Sequence, residues 1–172
     1  MVSTLRKAGA WMAYRLIWAY WWIRRPVVLG VRVLVADEDR VLLVNHSYRE
    51  GWLLPGGTPE SGESLVTTAR REVREETGVA VRDVTLLGIY SSLAAPESNH
   101  VAVFTGQAGK TKANQEMSAQ NVEVEAVRWV DGDRLPEAAS AQTRTILQDW
   151  RRGGSATYRV VDRTRNASTS FS

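Results

Sequence analysis

The chain has 172 residues, 44% hydrophobic and 24% charged, enough for one domain with a real core and short extensions. It contains no cysteine and two histidines, His46 and His100. That excludes disulfides, thiolate catalysis and cysteine-held zinc, and any metal must be a hard cation held by oxygen. The net charge of +3 is unevenly spread: residues 1–26 hold five of the 22 Lys+Arg and none of the 19 Asp+Glu, leaving 17 against 19, a net of −2, for the rest. The basic balance belongs to the N-terminal arm, so no nucleic-acid partner is expected for the domain.

Residues 1–26 form the first unit, with Trp11, Trp18, Trp21 and Trp22 and with Arg6, Lys7, Arg15, Arg24 and Arg25, closed by Pro26. Read as a helix, Leu5, Met12, Leu16, Ala19 and Ile23 share a narrow stripe, which makes the arm an amphipathic Trp-rich helix. Strand patterns follow. Val28–Ala36 is rich in β-branched residues, Asp37-Glu38-Asp39 is a turn, and Val41–Val44 is a second strand. Trp52–Leu54 leads into a sharp bend at Pro55-Gly56-Gly57. Ser64–Thr77 reads as a helix, with Leu65, Ala69 and Val73 on one face and Gly78 as its stop. Val81–Tyr90, His100–Thr105 and Val122–Val130 read as strands, and residues 108–120 as a polar loop. Residues 141–152 read as a closing helix with Ile146, Leu147 and Trp150 as apolar contacts, and residues 153–172 as a poorly ordered polar tail. The domain therefore spans residues 27–152 and belongs to the α/β class, a mixed sheet with helices.

The chemistry concentrates in Gly57–Val79. On the helix Glu72, Glu75 and Glu76 stand at i, i+3 and i+4 and crowd one face. Like charges there repel, whereas a divalent cation turns them into a ligand set. Gly56-Gly57 lets the backbone come close, so that a main-chain carbonyl could reach the same ion. Glu63 opens the helix, where a carboxylate suits the dipole. A carboxylate-held metal with open positions polarises a phosphoryl oxygen, acidifies a bound water and offsets charge on a departing phosphate. The competing structural reading is an exposed acidic helix stitched by pairs such as Arg71–Glu75, which leaves the fixed spacing of Gly57 and Glu63 unexplained.

The segment resembles the box of the Nudix hydrolases, G-x5-E-x7-R-E-U-x-E-E-x-G-U with U aliphatic. Gly57, Glu63, Arg71, Glu72, Glu75, Glu76 and Gly78 match the fixed positions and Val73 and Val79 the aliphatic ones. Such a match arises by chance roughly once in 10⁹ windows, so coincidence is not an explanation. The resemblance covers about Val27 to Trp150. It implies an α/β/α sandwich and Mg²⁺-dependent (or Mn²⁺-dependent) water attack on a diphosphate in a nucleoside diphosphate derivative. ADP-ribose-like compounds, dinucleoside polyphosphates and modified nucleoside triphosphates are the expected substrates. By position, Glu75 and Glu76 would be the main metal ligands, Glu72 a ligand or the base, and Arg71 an orienting residue. The Gly57 carbonyl would complete the shell. Glu123, before Val127-Arg128-Trp129, is the expected later acid, with Glu125 in reserve. Pro96 stands roughly where ADP-ribose-cleaving members carry a proline.

Other residues carry a structural reading beside a functional one. Trp52 could stack on a base but reads better as core, and His100 reads as a structural histidine; Tyr90, Ser91 and Ser92 end a strand near the expected cleft. The apolar stretch of the arm is short and contains Arg15, so it is not read as spanning a membrane. It suits either a membrane interface or docking on this domain or a second subunit. No cleavage-site pattern follows it, so the expected location is cytoplasmic, peripheral at a membrane if the arm binds lipid. Two other functions compete with hydrolysis of nucleotides: a Mg²⁺-dependent nucleotide-sensing module without turnover, and a membrane-recruited hydrolase of a lipid-linked diphosphate.

Overall fold

The computed structural model describes residues 27–47, 49–92, 98–109, 123–154, 157–161 and 169–170. The expected N-terminal helix, Pro96 and the polar loop lie outside the described residues. The strands are β1 (Val27–Asp37), β2 (Arg40–His46), β3 (Arg49–Leu53), β4 (Val81–Ser92), β5 (Ser98–Ala108), β6 (Val124–Asp131), β7 (Thr157–Val160) and β8 (Thr169–Ser170). The helices are α1 (Leu65–Thr77) and α2 (Ala141–Arg151).

One mixed sheet runs β3-β2-β1-β5-β4-β7-β8, with β6 also on β2. The β1–β2 hairpin pairs only at its tip, Ala36 with Val41 and Asp37 with Arg40. Below that tip the two strands diverge, and the vacant edge of β1 is taken by the bend after β3. Val31 N–H donates to the Gly57 carbonyl at 2.8 Å and Val33 N–H to the Pro55 carbonyl at 2.9 Å. On its other edge β1 runs parallel to β5, from Val27 opposite Ser98 to Ala36 opposite Gln107.

Alternation along the strands sends side chains into two cores. Val31, Val33, Val35, Leu42, Ala102 and Phe104 pack with Ala69 and Val73 of α1. Leu34, Val41, Leu43, Leu87, Tyr90, Val101 and Val103 pack with Ile146 and Leu147 of α2 on the opposite face. The result is the expected three-layer α/β/α arrangement. Ser64 caps α1 by accepting from Thr67 N–H, and Gly78 ends it with its N–H on the Arg74 carbonyl.

The sequence reading is corrected at its C-terminal end. Thr157–Val160, expected as part of a polar tail, forms β7 in parallel register with Gly88–Ser91 of β4. Its anchor is electrostatic. Arg159 Nη2 donates to Asp149 Oδ1 at 2.7 Å, and Arg159 Nε lies 2.6 Å from Oδ2. Buried Tyr90 donates its hydroxyl to Asp149 Oδ2 at 3.0 Å. Burial, and then the Asp149 carboxylate, raise the Tyr90 pKa. Among the described residues no helix is long and apolar enough to cross a membrane.

Asp149 is 4% exposed, and removing it would leave part-buried Arg159 without its partner and the Tyr90 hydroxyl without its acceptor. Asp149→Ala is expected to cost about 3 kcal/mol, read in urea unfolding, whereas Tyr90→Phe costs about 1 kcal/mol. Equal losses would show that the hydroxyl, not the ion pair, holds β7.

Candidate active site

The site is assembled where the Pro55–Gly57 bend passes between β1 and the face of α1. Gly56 has φ 141°, and a Cβ there would run into the Val31 carbonyl; a Cβ on Gly57 would run into the Glu72 carboxylate. Only glycine permits this double approach. Arg32 of β1 ties the bend further, its Nη1 donating to the carbonyls of Leu54 (2.9 Å) and Gly56 (2.8 Å).

Glu76 is the deepest carboxylate. It is 4% exposed, accepts the Gly56 N–H on Oε2 at 2.8 Å, and has His46 Nε2 3.4 Å from Oε1. Burial pushes its pKa up to about 7, against the lowering influence of Gly56 N–H and Arg32; Glu72 and Glu123 add to the rise. Glu72 is also shifted upward, chiefly by burial. Glu75 lies outermost, its side chain half exposed.

Arg71 occupies the middle of this acidic face. Its Nε and Nη2 each donate to Glu63 at 2.9 Å, Nη1 donates to Glu72 at 2.9 Å and to Glu75 at 3.1 Å, and Nη2 also reaches the Thr58 carbonyl at 3.3 Å. All five guanidinium N–H groups are thereby directed at acceptors. The hydrogen bond from Arg71 holds Glu63 down to about 2, and Glu63 in turn raises the Arg71 pKa.

The structure brings Glu63, Arg71, Glu72 and Gly57 into mutual contact and sets Glu76 behind them. Of the two later acids, Glu123 is the one whose charge is felt at Glu76; its carbonyl accepts Ser47 N–H at 3.0 Å. Glu125 lies at the β-bulge where β6 slips against β2. Gly57 O already accepts Val31 N–H, so one lone pair of that carbonyl remains. The sequence reading missed Arg32 and His46. Each left a faint signal, a cation inside a β-branched run and a histidine closing an apolar strand, but neither names its partner. Trp52 is half-buried against the α2-side core, with Arg128 5.0 Å above its ring. His100 Nδ1 lies 2.7 Å from Ser91 Oγ.

Among the described residues no three Asp, Glu or His side chains converge as they stand on a point where an ion would sit; Arg71 Nη1 is placed between Glu72 and Glu75. The donor chemistry nevertheless fits a hard divalent cation. Glu72 and Glu76 are carboxylates whose charged forms burial disfavours, a cost that a cation would offset.

A family model for the NUDIX domain matches residues 26–150. The chain belongs to the Nudix family. It is 30% identical over 125 residues to a Bacillus subtilis (strain 168) protein whose name proposes an 8-oxo-dGTP diphosphatase, covering 72% of this chain and 80% of that one. It is 33% identical over 76 residues to an ADP-ribose pyrophosphatase of Methanocaldococcus jannaschii, covering 42% of this chain and 45% of that protein. Among solved structures, a MutT NUDIX hydrolase from Burkholderia pseudomallei superposes with a TM-score of 0.63 at 25% identity, over 72% of this chain and 97% of that one. The chain thus spans most of the first relative and less than half of the second. Family, relatives and fold make this Nudix protein a hydrolase of pyrophosphate bonds.

The carboxylates predict an unusual pH dependence for the metal-free protein. Glu76 binds its proton more tightly folded than unfolded, so its contribution is full below pH ~4.5 and disappears as pH rises through about 7. Glu63 acts oppositely: its contribution is full above ~4.5 and vanishes as pH falls toward about 2. Metal-free Tm is therefore expected to peak near pH ~5 and fall by a few degrees toward pH 8. Glu76→Gln should remove most of the alkaline fall in a thermal-melt series. An unchanged slope would show that Glu76 is not held protonated.

Proposed function

We propose that this Nudix protein hydrolyses the diphosphate of a nucleoside diphosphate derivative in a Mg²⁺-dependent reaction, Mn²⁺ being able to substitute. The observation that carries the reading is the buried Glu76 carboxylate, fixed by the Gly56 N–H directly behind Glu72 and disfavoured in its charged form without a cation. A group built in that way serves stability poorly and metal binding well.

Glu76, Glu75 and Glu72 would hold the ion, with the remaining lone pair of the Gly57 carbonyl. A cation held there would supply polarisation of the attacked phosphoryl group and offset charge on the departing phosphate. Glu72, whose proton affinity burial raises, takes the proton of the attacking water. The new bond joins water oxygen to phosphorus, and the bridging P–O bond breaks with its electrons going to the leaving phosphate. Arg71 keeps the Glu72 carboxylate against Gly57 through its Nη1–H. Its bond to Glu75 is the one that would open when Glu75 turns to the cation, while the paired bonds to Glu63 keep the guanidinium in place. Glu123 adds negative charge near Glu76 and strengthens the attraction for the ion.

The names of the two curated relatives support a purine nucleotide substrate in which a diphosphate links the nucleoside to phosphate or to a second sugar. The test is turnover of ADP-ribose, dinucleoside polyphosphates and 8-oxo-dGTP with Mg²⁺, scored for new phosphomonoesters. Glu75→Gln and Glu76→Gln are each expected to lower kcat/KM by about 10²-fold or more, and a chelator should abolish activity. Full activity in both variants would sink the metal assignment. A protein that binds these nucleotides with Mg²⁺ but turns over none of them would be a sensing module.

Gly57→Ala provides a second check. Its Cβ displaces the Glu72 carboxylate without touching the core, so kcat should fall roughly 10²-fold with a Tm within a few degrees of the parent. A kcat near the parent value would remove Glu72 from the reacting centre.

A further inference from the structure

The α1 side of the sheet is only partly covered. Helix α1 buries Val31, Val33, Val35, Ala102 and Phe104, and among the described residues the same face carries exposed apolar side chains beyond its edge. Val27 is 71% exposed and Leu29 40%, in phase with Val31 on β1. Ile89 of β4, 39% exposed, lies opposite buried Ala102 in one ladder and opposite Tyr158 of β7, 50% exposed, in the other. Half-buried His100 of β5 lies between the two halves, opposite Leu29 in one ladder and buried Ser91 in the next. Strands in parallel pairs such as β1–β5 and β4–β7 are ordinarily covered on both faces. An apolar surface spread over β1, β4 and β7 differs from singly scattered exposed residues.

We propose that this face is the docking site of residues 1–25 of the same chain. The arm joins the domain through Pro26 at Val27, the first residue of that exposed surface. It carries the apolar groups such a face requires, Trp11, Trp18, Trp21 and Trp22 beside the Leu5, Met12, Leu16, Ala19 and Ile23 stripe. The arm holds five basic residues and no acid, and the rest of the chain carries a net of −2, so no overall repulsion opposes docking. Its reach is sufficient, because β1 to β7 is three strand steps, about 15 Å, which a helix of about ten residues spans. Covalent attachment through one proline also gives the arm an effective concentration on the order of millimolar, above that of a second copy in dilute solution.

The absence of native cysteine makes the test direct, since introduced thiols are the only ones present. Full-length protein carrying Ala19→Cys with Ile89→Cys, or Met12→Cys with Tyr158→Cys, is treated with a short bismaleimide in dilute solution. The expected product in at least one pair is an internally cross-linked monomer, seen by mass and by trypsin mapping. Cross-linked dimers in place of monomers would assign the face to a second copy and overturn the proposal, and so would the lack of any cross-link in both pairs. Independently, Ile89→Lys with Tyr158→Lys in the full chain should speed trypsin cleavage after Arg15 and Arg24 about tenfold. A rate equal to the parent's, with the far-UV spectrum retained, overturns it. Protection of the arm that appears only with phosphatidylserine vesicles would overturn it too, in favour of lipid.

Discussion

The Pro55–Gly57 bend is fixed because two different structures need its backbone at once. Its carbonyls at Pro55 and Gly57 complete the edge of β1, where β2 has diverged, and its Gly56 N–H completes the hydrogen bonding of Glu76. The sheet thus sets the position of the turn, and the turn sets the position of the deepest carboxylate. Arg32 reinforces the arrangement from within β1 by holding two further carbonyls of the same segment. Neither glycine can acquire a side chain without breaking one of these contacts, since the Cβ of one meets sheet backbone and that of the other meets Glu72. The glycine pair is therefore a joint between the fold and the site.

The electrostatics of that joint are deliberately unbalanced. Arg71 is matched against Glu63, Glu72 and Glu75 with every N–H engaged, so the outer acids share one cation. Lysine could not reproduce the arrangement, having three donors on a single atom. Glu76 lies beyond this compensation, contacting Gly56 N–H and His46. Its burial opposes ionisation, and a divalent cation is the simplest group that reverses that opposition. In the proposed reaction the residues that weaken the empty protein would be those that hold the ion, a recurrent division at active sites.

How much of this was legible follows from which interactions are local. Helix α1, its Ser64 cap and Gly78 stop, and the strands on either side were readable, because periodicity and capping are properties of adjacent residues. The carboxylate triplet was readable for the same reason, one helical turn placing Glu72, Glu75 and Glu76 together. Arg32 and His46 were not assigned to the site, since their roles depend on meeting Gly56 and Glu76 across the fold. Strand β7 is hard to read because Thr157–Val160 is a four-residue run inside a Ser/Thr/Arg-rich segment, and its anchor is long-range, Arg159 reaching Asp149 ten residues earlier. The parallel pairing of β1 with β5 is likewise a long-range choice that strand patterns do not specify.

The two faces of the sheet carry different burdens, and that difference bears on how the acidic site is tolerated. On the α2 face, Ile146, Leu147 and Tyr90 close a continuous apolar core, and the Tyr90–Asp149–Arg159 network joins β4, α2 and β7 without reference to any ligand. On the α1 face the apolar core is interrupted by the carboxylates at one end and stops short of Leu29, Ile89 and Tyr158 at the other. The α2-side core helps to hold the acidic cluster on the other face, because the strands shared by both cores transmit position even where the local free energy is unfavourable. The β1 backbone is the shared element: Leu34 faces α2, Val33 and Val35 face α1, and the Val31 and Val33 amides hold the Pro55–Gly57 bend. Loss of packing behind Leu34 would therefore reach the Glu76 site through β1.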